Sequence, residues 1–558
     1  MPYSLGLDRR EVDLMVERAT HLEDQRDEWD RLHEEVRDFI LPYGGIFPGR
    51  GEQPDRGLDK TGKIINSAAT QGLDILAAGM QGGLTSPARQ WFKLMTPDPE
   101  LNKFRLVKAW LSDVERRMDY VLGRSNFYDI IHNGYRFQGG FGNCCLAEEE
   151  DAESVVRFTL FPVGQYSVAS GGNGRVDTIY RRFFMTVHAA AQRFGLERLS
   201  VRAQSLYERQ PFEYIEILHV YEPRAIRAVG KRDYTAWPWS SVYLEYGAEW
   251  PNVLEVSGYQ EQALFCARWD AVGDDAYGRG PCHTVLPDVK MLQSMEVSAL
   301  KAQHLQVQPP MLAPTQLRGR IKQTPGAWSF VDETQASGVK PLYPNMVAGD
   351  VQGAEARIQR VVDQIMRALH VDVFLMIDQG HAGMTATEVL EKKAEKLLIL
   401  GPVIERQFHE LLDPIIDRTF AIMARRGMLP PAPQELQGMP LKVDYVSLLA
   451  QAQKQLATKG LDAVLDHATR VAQVDPSVAD GFDGVRSLQD YAEALGVDPK
   501  VLRSPEEVER IRQQRQAEAA ERQKAEQLAA MAEGAHKLGN AKATPDTALG
   551  QVVEAMER

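Results

Sequence analysis

A cysteine, a histidine and an aspartate lie close together in residues 276–304, AYGRGPCHTVLPDVKMLQSMEVSALKAQH, and could form a nucleophile, its base and an orienting acid. Such a group would attack an acyl carbon through the thiolate of Cys282. However, Cys282 and His283 are neighbours, whereas catalytic Cys and His residues normally come from distant segments. Pro287 at a helix start, with Asp288 in the first turn, explains the same residues without chemistry. We therefore expect a helix to begin here, and the alternative is a Cys-dependent hydrolase that uses Cys282 with a distant histidine.

Other motifs for catalysis or ligand binding are missing from the sequence. The acidic run EEED at 148–151 could supply paired carboxylates for glycoside or metal chemistry. No second carboxylate motif matches it, and acidic runs are usually solvated. There is no GxxxxGK[ST] phosphate-binding loop, no HExxH and no CxxC, and the twelve histidines show no metal-ligand spacing. We therefore expect no metal, no cofactor and no enzymatic activity.

Composition and charge set limits on the class of protein. The chain has 558 residues, 44% hydrophobic and 25% charged, which is typical of a soluble globular protein. A formal net charge of −13 argues against a freestanding DNA-binding protein, but not against one that lets DNA pass without gripping it. Four cysteines are too few for a disulfide framework and favour reduced thiols in a cytoplasmic setting. We see no secretory signal at the N-terminus and no apolar stretch of about 18 residues, so we expect no membrane span.

The hydrophobic pattern predicts an α+β fold in which strands occupy the middle of the chain. An amphipathic helix is expected at 8–41, followed by helices near 63–83, 101–123 and 126–139. From about 143 to 270, short β-leaning runs alternate with turns. The small residues of the second helix would allow close approach of a neighbouring backbone.

Helices return after the strands and bracket an insert. The expected elements are a helix at 287–306 that starts at Pro287, a Pro-rich segment with possible strands at 308–344, a helix at 350–370, a loop at 371–384, a long helix at 385–427 kinked by Gly401-Pro402 and Pro414, and a charged helix at 504–533.

Several of these blocks resemble the portal proteins of podovirus-type bacteriophages, the head-to-tail connector family. The matching blocks are AATQGLDILAAGMQGGLTSPARQWFKL at 68–94, VDTIYRRFFMTVHAAAQRFG at 176–195, ALFCARWDAVGDDAYGRGPCHTVLPDVKMLQ at 263–293 and MTATEVLEKKAEKLLILGPVIERQFHELLDPIIDRTF at 384–420. The resemblance covers most of residues 10–450 and is weaker in the last hundred residues of the chain.

The resemblance implies a mainly helical portal-protein fold with a β-rich wing. Its parts would be the wing at 1–285, the first stem helix at 286–306, the clip at 307–349, the second stem helix at 350–370, the tunnel loop at 371–384, a long wing helix at 385–445, and a C-terminal helical crown with tail helices at 446–558.

The function that the resemblance implies is structural. About twelve identical subunits would form a ring at one capsid vertex, through which double-stranded DNA passes during packaging and ejection. The implied partners are the terminase large subunit, head-tail adaptor and tail proteins, and the major capsid and scaffolding proteins. The ring would be assembled in the host cytoplasm and remain in the virion at the head-tail junction. A further alternative is a coiled-coil scaffold driven by residues 8–41 and 504–533.

A channel that let DNA slide would have a mostly neutral or acidic wall with a few basic rings, because every neutralised phosphate adds salt-sensitive affinity. The expected channel residues are Lys290 and Lys301 on the first stem helix, Arg357, Arg360 and Arg367 on the second, and Gln379 and His381 in the glycine-flanked tunnel loop. Each basic residue could equally form a salt bridge between subunits.

Overall fold

Helices and antiparallel sheets alternate along the chain, which confirms the predicted α+β class. The computed structural model describes residues 7–48, 60–98, 100–228, 230–247, 252–307, 311–312, 315, 340–341, 348–378, 400–436, 441–445, 469–471 and 505–539. The chain divides into two units, Met1–Gln453 and Lys454–Arg558. Within the described residues, the second unit consists mainly of one long helix, and the first contains the sheets and the core.

The α-helices lie close to the positions that periodicity predicts. In the described residues they are α1 (Arg9–Phe39), α2 (Ala68–Leu84), α3 (Arg105–Arg124), α4 (Phe127–Phe141), α5 (Val187–Phe194), α6 (Val201–Arg209), α7 (Pro281–Val307), α8 (Ala348–Ala368), α9 (Val371–Asp378), α10 (Asp413–Arg425) and α11 (Pro505–Gly539). The start of α1 is fixed by Asp8, whose backbone N–H donates to Glu11 Oε2 at 2.8 Å.

The strands fill the region where short β-leaning runs were predicted. They are β1 (Phe92–Met95), β2 (Asn143–Asp151), β3 (Val155–Phe161), β4 (Tyr166–Ser170), β5 (Val176–Thr186), β6 (Tyr214–Pro223), β7 (Trp239–Tyr246), β8 (Asn252–Tyr259), β9 (Leu264–Arg268), β10 (Met311–Leu312), β11 (Lys340–Pro341) and β12 (Lys442–Tyr445).

Antiparallel pairing joins these strands into sheets, of which two are large. Among the described residues, β4 to β8 form a five-stranded meander in chain order, and β9 joins the β2–β3 hairpin beside β2. Two short pairs, β1–β12 and β10–β11, complete the pairing that is described. The β10–β11 pair lies in the Pro-rich insert, where strands were expected.

The five-stranded sheet is covered on both faces. Leu218 packs with Val12 and Leu22 of α1, whereas the next residue back, Ile217, packs with Val187 and other apolar residues of α5 and α6. Successive side chains of a strand point to opposite faces, so the two clusters lie on opposite sides of this sheet. The largest core lies elsewhere, where α2, α4 and α7 meet β2 and β9.

The small residues of α2 are used for close packing inside the chain. A Cβ added at Gly72 would contact Leu369, and one at Gly79 would overlap the ring of Phe374. These glycines therefore allow the end of α8 and the first turn of α9 to lie directly on α2. The neighbour that the small residues accommodate is another segment of the same chain.

The predicted start of the first stem helix at Pro287 is wrong. Helix α7 begins six residues earlier, at Pro281, and Pro287 lies inside it. A proline suits the first turn of a helix, where its missing N–H is not needed, so the sequence alone is compatible with a start at either Pro281 or Pro287. Pro287 is exposed, so its ring occupies the solvent side of the helix. Cys282 and His283 consequently lie in the first turn of α7.

The predicted loop at 371–384 is wrong in its first half, because Val371–Asp378 is helix α9. The break between α8 and α9 is made by His370, which has a φ of 56°. Helices usually end in this left-handed conformation at a glycine, and a histidine there is uncommon. The boundary therefore carries no glycine or proline by which the sequence would show it. Val371, Val373 and Phe374 are buried. The second half of the predicted loop lies outside the described residues.

A kink was predicted at Pro414, and the structure has a π-helical turn directly before the helix that has Pro414 in its first turn. Residues 400–407 are helical, Phe408–Leu412 form the π-turn, and α10 follows directly. Proline lacks the N–H for an i to i−4 bond and its ring crowds the preceding turn, and a wider turn accommodates both effects. The kink predicted at Gly401-Pro402 falls at the edge of the described residues.

Candidate channel helices

Helices α7 and α8 pack side by side and run in opposite directions. Gln364 donates from Nε2 to Asp288 Oδ2 at 3.1 Å, and Gln303 donates from Nε2 to Glu355 Oε1 at 3.5 Å. Residue numbers thus rise along α7 as they fall along α8. The inner seam is apolar, with Val289, Leu292, Val361, Ile365 and Leu369 buried.

Burial on the helix pair is confined to the part near the core. On α7 the last buried residue is Gln293, and residues 294–304 have no buried side chain. On α8 the described residues 353–360 are likewise unburied, and burial begins at Val361. At 1.5 Å per residue, this unburied part of α7 is about 16 Å long. The pair therefore extends from the core as a two-helix projection.

One side of α7 faces solvent along the length of the helix. Its exposed residues at three- and four-residue steps are Thr284, Pro287, Met291, Ser294, Ser298 and Lys301. Of these six residues, Lys301 alone is charged. The stripe therefore presents small polar and apolar groups with a positive charge near its outer end.

The two lysines predicted for the channel have different surroundings. Lys290 Nζ lies 2.7 Å from Glu35 Oε2 and 5.7 Å from the centre of the Phe39 ring, so it links α7 to α1. Lys301 is exposed and forms no ion pair within the described residues. Lys290 is thus already neutralised inside the chain, whereas Lys301 has no counter-charge among the described residues.

The three arginines predicted for the channel all lie exposed on α8. Arg357, Arg360 and Arg367 follow steps of three and seven, which places them on one side of the helix. Arg360 Nε donates to the carbonyl of Ala356 at 3.3 Å, within its own helix. Gln379 and His381 lie outside the described residues.

A buried glutamine anchors α7 to the segment before α2. Gln293 is 4% exposed, and its Oε1 accepts from the backbone N–H groups of Ile65 and Asn66, each at 2.8 Å. Its Nε2 donates to the Asn66 carbonyl at 2.8 Å. Asn66 Nδ2 in turn donates to Glu296 Oε1 at 2.7 Å. One side chain therefore satisfies three backbone groups and fixes the register of α7 on its neighbour.

The turn that leads into α7 packs backbone against backbone on the end of α4. Gly142, with a φ of 78°, ends α4, and a Cβ added at Gly278 would lie 2.6 Å from its carbonyl oxygen. Asn143 Oδ1 accepts from the Gly278 N–H at 2.6 Å. Only glycine permits this approach, so the segment 277–280 that leads into α7 is a close-packed joint.

The Cys282–His283 pair does not form a nucleophile and base. Cys282 is fully buried, and burial raises the pKa of its thiol far above the ordinary value. His283 Nδ1 accepts from the Gly280 N–H at 3.2 Å. Burial, with the adjacent Arg279, lowers the pKa of His283 to about 4. A neutral thiol inside a helix is a packing residue, so the structure gives the hydrolase alternative no support.

His283 instead belongs to a stack of rings between α1 and α7. Its ring lies 5.6 Å from that of His33, and Tyr277 stacks on Trp29 at 5.5 Å. Arg279 lies 4.9 Å above the Trp29 ring. Together with the Lys290–Glu35 pair, these contacts hold the first half of α7 against α1.

A buried ion pair joins β9 to the π-turn. Arg268 is 4% exposed, and its Nη2 and Nε lie 2.6 and 3.2 Å from the two oxygens of Glu410. The guanidinium also donates to the carbonyls of Asp275 and Gly174, at 2.8 and 2.7 Å. Four segments of the chain thus meet at one arginine.

The acidic run EEED is divided between the core and the surface by strand β2. Glu148 is buried, accepts from Thr419 Oγ1 at 2.8 Å, and has a pKa that burial raises to about 8. Arg418 donates to the Glu148 carbonyl at 2.8 Å. Glu150 faces outward and lies 2.7 Å from Arg425. These carboxylates attach the helix that follows the π-turn to the sheet, and they do not converge on a common site.

The described ranges contain neither a cluster of metal ligands nor a membrane-spanning helix. No group of three or more His, Cys, Asp or Glu side chains in these ranges is arranged to hold a metal ion. None of the helices in the same ranges combines the length and the apolarity that crossing a membrane requires.

Comparison with known proteins assigns the family. The family described as "Bacteriophage head to tail connecting protein" matches residues 13–502. The chain belongs to this connector family. It is 38% identical over 556 residues to a "Probable portal protein" of Bordetella phage BPP-1, covering 98% of this chain and 99% of the relative. It is 35% identical over 551 residues to the "Portal protein" of Salmonella phage epsilon15, covering 98% of each.

In this connector chain, the residues that join distant segments around the candidate helices were not predicted from the sequence. Gln293 and Arg268 find their partners 228 and 142 positions away, and neither belongs to a local motif. A usable signal is a polar residue on an otherwise apolar stripe. Gln293 lies four residues after the buried Val289, so it falls on the core side of α7.

Proposed function

We propose that the chain is a portal subunit, which forms a ring at one capsid vertex and provides the channel for double-stranded DNA packaging and ejection. The observation that carries this proposal is the match to two phage proteins named as portal proteins, at 35% and 38% identity over nearly the whole of each chain. A match of this extent includes the helix pair, the sheets and the long C-terminal helix.

The ring would contain about twelve subunits, each of which contacts its neighbours through two different surfaces, as closed rings with rotational symmetry require. Its partners would be the terminase large subunit on packaging, and head-tail adaptor and tail proteins afterwards. Major capsid and scaffolding proteins would surround it. Assembly would occur in the host cytoplasm, and the ring would then remain in the virion at the head-tail junction.

The helix pair α7–α8 would form the stem, with the clip at 307–349 joining its two helices. The wing would be 1–280 and 385–445, the tunnel loop 379–384 and the crown 446–558. The assignment of the stem is supported by the antiparallel pairing of α7 and α8 and by their projection from the core. The tunnel loop would begin after Asp378, because α9 ends there.

Charge on the projection supports a channel in which DNA slides. The exposed stripe of α7 holds one charge, at Lys301, and Arg357, Arg360 and Arg367 would add basic rings from α8. Lys290 would enter the wall as an ion pair with Glu35. Gln379 and His381 would stand at the tip of the tunnel loop. Few free cations per subunit keep the salt-sensitive affinity for phosphate low.

The chain would perform no chemistry of its own, and ATP hydrolysis would belong to the terminase. The burial of Cys282 and the absence of a phosphate-binding loop from the sequence support this view.

Ring formation is the direct test. Negative-stain microscopy of the purified full-length chain should show rings with a central hole, and light scattering should give a mass of about twelve chains. A monodisperse monomer at high concentration, also in the presence of scaffolding protein, would refute the portal proposal.

A further inference from the structure

The loop between β6 and β7 carries a dense cluster of basic residues on an acidic chain. Arg224, Arg227, Lys231 and Arg232 lie within nine residues, whereas the formal net charge of the whole chain is −13. The adjacent carboxylate is Asp233. This concentration of positive charge has no part in the helix pair or in the core.

The base of this loop has a fixed shape. Arg224 donates from Nε to the Trp237 carbonyl at 3.3 Å and from Nη2 to the Ser257 carbonyl at 3.2 Å. Asp233 Oδ1 accepts from the Thr235 N–H at 3.0 Å. Arg224 therefore holds the loop on the sheet, whereas Asp233 stabilises a turn within the loop.

The remaining three cations face solvent. Arg227, Lys231 and Arg232 are exposed, and none of them forms an ion pair with a carboxylate in the described part of the chain. An exposed ion pair would add little to stability. Hydrogen bonds from Thr235 and the charge of Lys231 lower the pKa of Asp233, so Lys231 is partly compensated, and Arg227 and Arg232 are the cations most available to an anion from outside the chain.

A further basic residue lies at the same end of the sheet. The pairs Ile179–Tyr221 and Pro223–Trp239 place the start of β5 beside the end of β6. The β4–β5 turn, with exposed Arg175, therefore lies at the end of the sheet from which the basic loop emerges. The basic surface extends over two connections.

We propose that this end of the sheet, formed by the β6–β7 loop and the β4–β5 turn, binds the phosphate backbone of double-stranded DNA. The proposal rests on the proposed portal function, which brings the chain next to a packaged duplex. A duplex carries one negative charge per about 1.7 Å of its axis, a density that acidic protein surfaces rarely reach. The contact is independent of base sequence, and it lies outside the α7–α8 projection, so it is separate from the channel.

The test compares salt dependence of DNA binding between variants of the full-length chain. The change is Arg227→Ala, Lys231→Ala and Arg232→Ala together, and a fluorescent duplex reports binding by anisotropy. Each lost phosphate contact should reduce the slope of log K against log salt by about 0.9. The variant lacks three such contacts in each loop that touches the duplex, so the slope should become shallower by about 3 per loop. The advantage of the wild type should then shrink about 40-fold between 50 and 200 mM salt.

A matched control removes the same charge from another surface. Lys108, Arg116 and Arg124 are exposed on α3, and changing all three to alanine should leave the slope unchanged. Equal losses in both triple variants, or no loss in either, would overturn the proposal. So would tighter binding of poly-glutamate than of duplex DNA by the wild type, since the loop would then recognise an acidic protein.

Microscopy of the same samples separates the two proposals. If no rings form, the portal proposal fails, and the slope difference is still measured on the species that is present. If rings form and the loop variant binds DNA as the wild type does, the inference about the loop alone fails.

Discussion

Glu410→Gln is expected to lower the free energy of unfolding by about 3–5 kcal/mol, because it leaves the guanidinium of Arg268 buried without a counter-charge. Arg268 is 4% exposed, so water cannot replace the lost carboxylate. Glutamine has nearly the volume of glutamate, so the loss reports charge and hydrogen bonding and not a cavity. The carbonyls of Asp275 and Gly174 still accept from Arg268 but carry no charge.

Removing both charges together should cost much less than two separate removals. In the double variant Arg268→Met, Glu410→Leu, no charge is buried, but the carbonyls of Gly174 and Asp275 lose their donors and the Arg268 amide loses its acceptor, at about 1 kcal/mol each. We expect a loss of roughly 2–3 kcal/mol, against roughly 6–10 for the sum of the single changes. The coupling energy should thus be several kcal/mol.

Urea unfolding followed by tryptophan fluorescence measures these values at a fixed chain concentration. Trp269 adjoins the pair and is 5% exposed, so its emission should report the region. The amide of Arg268 donates to Glu410 Oε2 at 3.0 Å, and hydrogen exchange there should accelerate in Glu410→Gln. Asp113→Asn, which breaks an exposed pair with Arg116, is the control and should cost no more than about 0.5 kcal/mol. Additive costs in the double variant would refute the reasoning.

Two further predictions concern pH and the channel. Burial raises the pKa of Glu148 from 4.5 to about 8, so the folded chain keeps a proton that the unfolded chain releases between these values. The contribution of protonated Glu148 to the free energy of unfolding is full below pH about 4.5 and is lost as pH rises towards 8. Glu148→Gln should therefore flatten the fall of the urea midpoint over that range, and an unchanged pH profile would contradict this. Lys290→Ala should cost no more than about 1 kcal/mol, because its ion pair with Glu35 is partly exposed, and Lys301→Ala should not change stability. The double variant should alter DNA retention or packaging, and unchanged packaging and ejection would rule out both lysines as channel residues.

Helices with an apolar stripe could be placed from the sequence, because local periodicity determines them. The helix predicted at 8–41 is Arg9–Phe39, and that at 126–139 is Phe127–Phe141. The strands between 143 and 270 follow from their β-branched and aromatic content. In these cases the signal lies within one turn or one strand repeat.

Two boundaries were misplaced for physical reasons that the sequence does not show. Pro281 and Pro287 both suit a first turn, and the packing of the glycine turn against α4 decides between them. His370 ends α8 in a conformation that usually takes glycine, so Val371–Asp378 looked like part of a loop.

The candidate site was predictable as a set of exposed cations but not as a geometry. Lys301, Arg357 and the other described arginines are on exposed faces, as periodicity suggests. The ion pair of Lys290 with Glu35 joins residues 255 positions apart, and no local spacing announces it. Long-range partners of this kind depend on the folded arrangement of α1 and α7.

Residues 294–304 of α7 and 353–360 of α8 bury no side chain, although each segment must give up conformational entropy to be helical. In the proposed ring, packing between neighbouring subunits would help to offset that entropy loss. An open arc of subunits would have one unsupported pair of helices at each end, and the last subunit to join would cover both. Closure of the ring would therefore be more favourable than any single earlier addition, and incomplete rings would be rare at equilibrium.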